Sequence, residues 1–407
     1  MPAAGSRDHD IVLLGATGFA GELTAAYLAA HAPADCRLAL AGRDKDKLAA
    51  VRDRLPATVN GIGQREITLL SADTDDTASL RTLATSARVL ATTVGPYALY
   101  GDGVVAACAA AGTDYLDLTG EPEFVDTSWL RHHETAVSSG ARLVHAAGFD
   151  SIPHDLGVLF TVLQLPPDGP ITITGYVSAS GAASGGTFAS ALTAFGRPRQ
   201  NIAAARARRA REAASIESGE RRSRSSLGRP HRAPDGGWAV PLPTVDPQVV
   251  ARSGRALARY GPDFRYSHFA VVPRLPLALG GVAGVGALAL AAQVPPARRA
   301  LQRRLAPGQG PSAERRAKSW FAVTFVGEAG ADRVRTRVSG GDPGYDETAK
   351  MLGESALSLA FDDLPDTSGQ VTTAAAMGEA LIDRLRAAGM SFEVLNLTAP
   401  VVVRRPR

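Results

Sequence analysis

Three glycines are spaced for phosphate chemistry in Gly15-Ala16-Thr17-Gly18-Phe19-Ala20-Gly21. The apolar run Ile11-Val12-Leu13-Leu14 precedes them, and a helix-like segment begins near Glu22. In such a strand, turn and helix, Gly15 permits the tight turn and Gly18 lets backbone approach a pyrophosphate. Gly21 allows the helix to pack closely on the strand. The phosphates lie on the helix N-terminus, where unpaired N–H groups and the helix dipole meet negative charge. Gly15, Ala16, Thr17, Gly18, Phe19 and Gly21 are therefore candidate dinucleotide contacts, and the flanking strand and helix weigh against a bare connecting turn.

Arg37-Leu38-Ala39-Leu40 runs into Ala41-Gly42-Arg43-Asp44-Lys45-Asp46-Lys47. A carboxylate at the end of this strand accepts the ribose 2′-hydroxyl of NAD, whereas a basic group accommodates the 2′-phosphate of NADP. Arg43 holds that place, and its planar fork suits a phosphate. The expected cofactor is NADP(H), with Asp44 keeping an NAD reading open. Asp73, after the third strand, is placed to meet the adenine amino group or, with Asp75, to cap the next helix. The fourth strand ends in Thr92-Thr93-Val94-Gly95-Pro96-Tyr97, where Gly95 and Pro96 make a rigid turn beside the expected nicotinamide.

Hydride transfer needs few protein groups beyond those that orient the cofactor and one proton donor. None of the eight tyrosines has a lysine four residues later, so the Tyr/Lys pair of short-chain dehydrogenases is absent. The donor candidates are Tyr97, Tyr115, Asp117, Glu121, His145 and His154, near strand ends or a hinge. Tyr97 is the first choice for a catalytic role on pocket position, with turn packing as the alternative. His132, His133 and Glu134 lack metal-ligand spacing and Cys36 and Cys108 are far apart, so no metal site is expected.

The elements that must hold these residues alternate along the first 150 positions. Strands are expected at 11–15, 36–41, 66–70, 88–94, 114–118 and 141–146. Helices are expected over Glu22 to Ala30, Asp44 to Leu55, Thr77 to Thr85, Gly103 to Ala111 and Trp129 to Ser138. That alternation implies a Rossmann-type doubly wound parallel sheet over 1–150. The stretch Gly148 to Gly157 reads as a hinge. Beyond it Ile171 to Val177, Trp320 to Val326 and Arg333 to Val338 alternate as half-buried strands do, giving a second α+β domain over 151–345 with a mainly antiparallel sheet. Residues 346–407 are expected to form helices packing back on the first domain. They include a helix over Thr372 to Ala388, and Asp346 is a candidate cap after the turn Gly340 to Tyr345.

Over 407 residues, 45% hydrophobic and 21% charged content describes an ordinary globular chain, and two cysteines exclude a disulfide scaffold. The start, Met1 to Asp10, has no secretory pattern, which points to the cytoplasm. Net charge is +4, yet Arg197 to Arg232 holds 11 arginines against three acids. With no aromatic interleaving, that run reads as a solvated helix and loop and not a nucleic-acid site. Leu275 to Val294 is uncharged for 20 residues but diluted by Gly280, Gly281, Gly284 and Gly286. An apolar hairpin at a membrane surface or lipid pocket, a buried segment and a spanning helix all fit it.

Taken together, the motifs resemble the saccharopine dehydrogenase-like oxidoreductases, particularly the actinobacterial branch called trans-acting enoyl reductases. The resemblance rests on GATGFAG at 15–21, AGR at 41–43, TVGPY at 93–97, GTDYLDLTGE at 112–121, GFDSIPHDLG at 148–157 and GGDPGYDETAKM at 340–351. It implies an NADP-linked reductase that reduces a double bond in a polyketide-derived lipid for a polyketide synthase lacking that activity. Gly15, Thr17, Gly18, Phe19, Gly21, Arg43, Gly95, Pro96 and Tyr97 carry over as cofactor contacts. An amino-acid-directed reductase of the saccharopine type, and a membrane-associated protein that holds NADP without turnover, are the alternatives. At Val371-Thr372-Thr373-Ala374 the family's usual proline is missing, which leaves the local helix start open.

Overall fold

The computed structural model describes residues 7–55, 66–180, 192–193, 195–215, 221–242, 244–294, 296 and 310–398. The first apolar run forms β1 (His9–Leu14), buried on both faces: Ile11 and Leu13 pack into one core, Val12 and Leu14 into another. A strand buried on both sides needs helices on both. β2 (Leu38–Gly42), β3 (Thr68–Ser71), β4 (Ala87–Thr92), β5 (Asp114–Asp117) and β6 (Arg142–Val144) supply the rest of the sheet from this part of the chain. They alternate with α1 (Phe19–His31), α2 (Lys45–Arg54), α3 (Thr77–Ser86), α4 (Tyr97–Tyr100), α5 (Asp102–Ala111) and α6 (Pro122–Ser139).

Two of the boundaries that differ from the pattern in the sequence have a visible cause. β2 starts at Leu38, and the Arg37 amide just before it donates to the Asp10 carboxylate at 3.0 Å in place of a strand partner. α6 begins at Pro122, whose fixed φ suits a first helical position, well before Trp129.

The chain leaves this layer through α7 (Ile152–Val162), a helix buried along its whole length. A second sheet is then built from β7 (Ile171–Ser180), β8 (Arg222–Ser225), β9 (His231–Arg232), β10 (Trp238–Pro241), β11 (Asp263–Val272), β12 (Trp320–Ala329) and β13 (Asp332–Gly340). Between them lie α8 (Pro198–Ser215), α9 (Asp246–Ala256), α10 (Leu275–Ala292) and α11 (Ala313–Arg316). After β13 come α12 (Asp346–Phe361), β14 (Gly369–Val371), α13 (Thr373–Ala376), α14 (Gly378–Ala387) and β15 (Ser391–Thr398).

The first sheet is wholly parallel in the order β14-β6-β5-β4-β1-β2-β3, so the direction of winding reverses between β1 and β4. The second sheet runs β15-β13-β12-β7-β11-β10-β9, with β8 also on β11. It is mixed: β7 and β8 lie parallel to β11, and the other pairs are antiparallel. The C-terminal segment serves both layers, since β14 extends the first sheet and β15 the second. α12 packs on α1 so closely that a Cβ at Gly353 would stand 2.5 Å from the Tyr27 ring.

Several local expectations are corrected by tertiary contacts. The run at 275–294 is no hairpin: α10 is one helix, and among the described residues no helix is long and apolar enough to cross a membrane. The expected helix over Thr372 to Ala388 is broken between α13 and α14, where Gly378 takes φ +49°. Asp342, not Asp346, closes the turn before α12 by accepting from the Tyr345 and Asp346 amides, while Asp346 pairs with Arg316. The arginine run is not wholly solvated: Arg208 is buried against α6 between Asp126 and Glu212 and stacks on Trp129.

One buried carboxylate ties three parts of the chain together. Asp155 on α7 accepts from Ser253 of α9 at 2.5 Å, from the Thr373 hydroxyl at 2.7 Å and from the Ala374 amide at 2.8 Å. Burial lifts its pKa, and these three donors work against that lift. The missing proline is thereby explained: Thr372 caps α13 by accepting from Ala375, and Thr373 is spent on Asp155. Asp155→Ala leaves those donors unpaired and should cost about 3 kcal/mol of stability, read as a lower denaturant midpoint.

Candidate active site

The glycine turn lies at the carboxyl end of β1, at the switch point where open parallel sheets bind ligands. Gly15 takes φ +88°, and a Cβ on it would meet Val94 Cγ2 at 2.7 Å and Thr93 Oγ1 at 2.9 Å. At Gly21 a Cβ would stand 2.1 Å from the Gly15 carbonyl oxygen, so α1 can approach β1 only without one. Gly18 differs: the nearest atom to a Cβ there is Gly15 O at 3.5 Å. Its bare side borders space at the α1 N-terminus, and no side chain among the described residues caps that end. A cradle of this shape fits a dinucleotide pyrophosphate. The Phe19 ring is packed between Tyr345, 4.7 Å away edge to face, and the Arg316 guanidinium, which leaves its backbone as the part near the cradle.

Arg43 stands exposed at the end of β2, with no ion pair among the described residues. Asp44 is already used, since its carboxylate accepts from the Asp46 and Lys47 amides and caps α2. Asp73 spends Oδ1 on the Asp75 amide, while the cap of α3 is Asp76. Past β4 the Gly95–Pro96 bond is cis, and Glu121 pins the following turn by accepting from the Tyr97 and Ala98 amides, both at 2.9 Å.

The donor candidates separate by what already occupies them. Tyr97 is buried; its hydroxyl donates to Thr92 O and accepts from the Leu118 amide, each at 3.2 Å, and burial pushes its pKa well up. That geometry is turn packing, the alternative to the catalytic role expected of Tyr97. Tyr115 donates to Asp117 Oδ2, and Asp117 Oδ1 accepts from the Thr119 and Ala146 amides. The second of these bonds helps hold Ala146 at φ +59°, a strained value for a residue with a Cβ. His145 bridges Asp117 at 2.6 Å and Ser128 at 3.0 Å.

The stretch 148–157 brings together residues that no sequence spacing links. His154, Asp246 of α9 and His268 of β11 are each 2% exposed, with one ligating atom apiece within 4.8 Å of the others. His154 Nδ1 lies 3.1 Å from Asp246 Oδ1 without hydrogen-bond alignment, and neither ring nitrogen has a hydrogen-bond partner among the described residues. Burial would raise Asp246, but His154, His268 and the Thr244 hydroxyl outweigh it and hold the carboxyl below the usual range. His268 is pushed down to about 4 by burial, and so is neutral at pH 7. Its Nε2 lies 2.9 Å from the Leu242 carbonyl oxygen, which can only accept, so that nitrogen carries the proton and has no lone pair for a metal. Next to this cluster is Asp150, lifted to about 7 by burial and by Asp246, with His154 opposing.

A parallel sheet with a phosphate cradle at its switch point, facing buried ionisable groups, defines a dinucleotide-dependent oxidoreductase. The family described as the saccharopine dehydrogenase NADP binding domain matches residues 11–144, and the cofactor is NADP(H). A trans-acting enoyl reductase of Mycobacterium ulcerans is 36% identical over 97% of this chain and 100% of its own. A Mycobacterium tuberculosis protein provisionally given the same name is 40% identical over 97% and 99%. The chain belongs to the trans-acting enoyl reductase family. In fold it is similar to saccharopine dehydrogenase from Saccharomyces cerevisiae, with a TM-score of 0.54 at 10% identity over 95% of this chain and 100% of that one.

The two functional glycines should separate experimentally. Gly18→Ala keeps the melting temperature near that of the parent but weakens NADPH binding about tenfold or more, because the new methyl group enters the phosphate space. Gly21→Ala lowers melting temperature and binding together; calorimetry and fluorescence titration with NADPH read both.

Proposed function

We propose that this chain uses NADPH to reduce an activated C=C bond in a polyketide-derived acyl chain supplied by a separate synthase. The observation that carries this reading is the open cradle at the switch point, in a chain similar along nearly its whole length to trans-acting enoyl reductases. The name trans-acting enoyl reductase carried by these relatives supports a partner synthase and an enoyl substrate. Gly15, Ala16, Thr17, Gly18, Phe19 and Gly21 hold the pyrophosphate, mainly through backbone. Arg43 takes the 2′-phosphate, and the free oxygen of Asp73 meets the adenine. Gly95 and Pro96 border the nicotinamide, and Tyr97 supports that turn without touching the reacting atoms. Bound NADPH supplies the hydride; the protein orients it and excludes water.

A second observation bears on where the substrate comes from. α10 carries Leu290 at 72% exposure, followed by Val294 at 49%, and Cβ atoms at Gly280, Gly284 and Gly286 would meet nothing within 4 Å. This supports peripheral contact of 275–294 with a lipid surface. Co-sedimentation with anionic vesicles, lost when Leu290 and Val294 are both changed to Ser, is the expected result, and unchanged pelleting would contradict it.

The catalytic reading is tested with purified protein, NADPH and a 2-enoyl thioester. NADPH oxidation with formation of the saturated product is expected, and Arg43→Ala should raise KM for NADPH about tenfold while barely changing KM for NADH. An inert parent enzyme that still binds NADPH would refute the proposed reaction.

A further inference from the structure

Reducing a C=C bond consumes a proton as well as a hydride, and the phosphate cradle does not provide the proton. Along the carboxyl ends of β5 and β6 most polar groups are already engaged. Tyr97 holds Thr92 and Leu118, Glu121 holds the Tyr97 and Ala98 amides, and the Asp117 carboxylate serves Tyr115, Thr119, His145 and Ala146.

Asp150 stands apart from that set. It is half-buried in the loop after β6, and no hydrogen bond or ion pair reaches its carboxyl among the described residues. Its Oδ2 lies over Gly120 of the β5 loop, where a Cβ would come within 2.7 Å. It therefore sits on the β4 to β6 side of the switch point, opposite the Arg43 side that takes the adenosine half. Behind it, the His154 ring is sealed from solvent, 3.1 Å from Asp246, and neither nitrogen has a hydrogen bond among the described residues. Both ring nitrogens of His154 and the Asp246 oxygen facing it are buried without a hydrogen bond among the described residues, which is costly and calls for a role.

We propose that Asp150 is the general acid of the reduction, giving its carboxyl proton to the α-carbon of the substrate, and that the His154–Asp246 pair positions and tunes it. This rests on the enoyl-reductase reading. The β-carbon receives the hydride, and the C=C electron pair moves to the α-carbon and is shared with the thioester carbonyl. The Asp150 O–H bond breaks as the α C–H bond forms, and the carboxylate regains a proton from water. The substrate gains two electrons, NADPH becomes NADP+, and no other reactant is needed.

The charges around Asp150 suit the role. Asp246 from α9 repels its ionised form, His154 from α7 attracts it, and Tyr97 from α4 is coupled to it as a neutral phenol. Glu121 on the neighbouring loop is turned toward the α4 amides, and His268 and Tyr266 on β11 lie behind Asp246. With burial, the balance leaves the carboxyl at about 7, near the pH at which a general acid works best. The acid must be protonated, so activity falls as pH rises through that value.

Asp150→Asn should bind NADPH as the parent does, lose turnover about a hundredfold or more and lose the alkaline limb of the pH profile, while Asp150→Glu recovers part of the rate. Asp246→Asn removes the repelling charge and should move that limb to lower pH. Infrared titration of the cofactor-free protein should show a carboxyl step near pH 7, absent in Asp150→Asn and displaced downward in Asp246→Asn. If Asp150→Asn fails to fold, the Asp246→Asn displacement in both measurements decides. The proposal is overturned by Asp150→Asn turnover within about threefold of the parent, by an unmoved profile in Asp246→Asn, by one tightly bound metal ion per chain lost in His154→Ala, or by a large loss in Tyr97→Phe with none in Asp150→Asn. An inert parent that binds NADPH overturns the enoyl-reductase reading itself, whereas an active parent with an active Asp150→Asn overturns only this assignment.

Discussion

A missing methyl group at Gly21 governs the approach of α1 to β1. With any side chain there, a carbon would fall 2.1 Å from the Gly15 carbonyl oxygen, and the helix would have to move off the sheet. Because it does not, the α1 N-terminus sits at the switch point with Gly18 bare toward the phosphate space, and Thr93 closes the turn from β4 by donating to Gly15 O. Arg43 at the end of β2 and the Gly95–Pro96 turn at the end of β4 take their places relative to that contact. The packing constraint and the binding constraint act on neighbouring residues of one turn.

The cofactor layer and the second sheet meet along α7. This helix is buried throughout, and its Asp155 binds α9 and α13, while His154 on the same turn faces Asp246 of α9 and His268 of β11. One first turn thus joins the two sheets mechanically and brings ionisable groups together beyond the carboxyl end of β6. The two aspartates near it differ: Asp155 has three donors and a structural task, whereas Asp150 has none among the described residues and faces the β5 loop.

Much of the first layer was legible in the sequence because its signals are local. Strand, glycine turn and helix are neighbours in the chain, and the alternation of apolar runs with helical stretches implies a parallel sheet without knowledge of any contact. The exposed place of Arg43 was readable for the same reason, as it follows directly on the second strand. The errors came where a distant partner overrode a local preference. The Asp10 carboxylate takes the Arg37 amide just before β2, the Asp342 carboxylate takes the Tyr345 and Asp346 amides before α12, and Arg208 is drawn out of solvent by Asp126 and Trp129.

The amino-acid sequence by itself determined the dinucleotide fold, the glycine turn after β1 and the basic residue exposed at the end of β2, because each depends on residues within one strand, turn and helix. Only the tertiary structure decided which ionisable residues come together. His154, Asp246 and His268 come from a helix after the first sheet, a helix of the second layer and a strand of the second sheet. No periodicity connects them, and the perturbation of Asp150 arises from burial and from a charge 96 positions away in the chain, which exist only once the two sheets have packed.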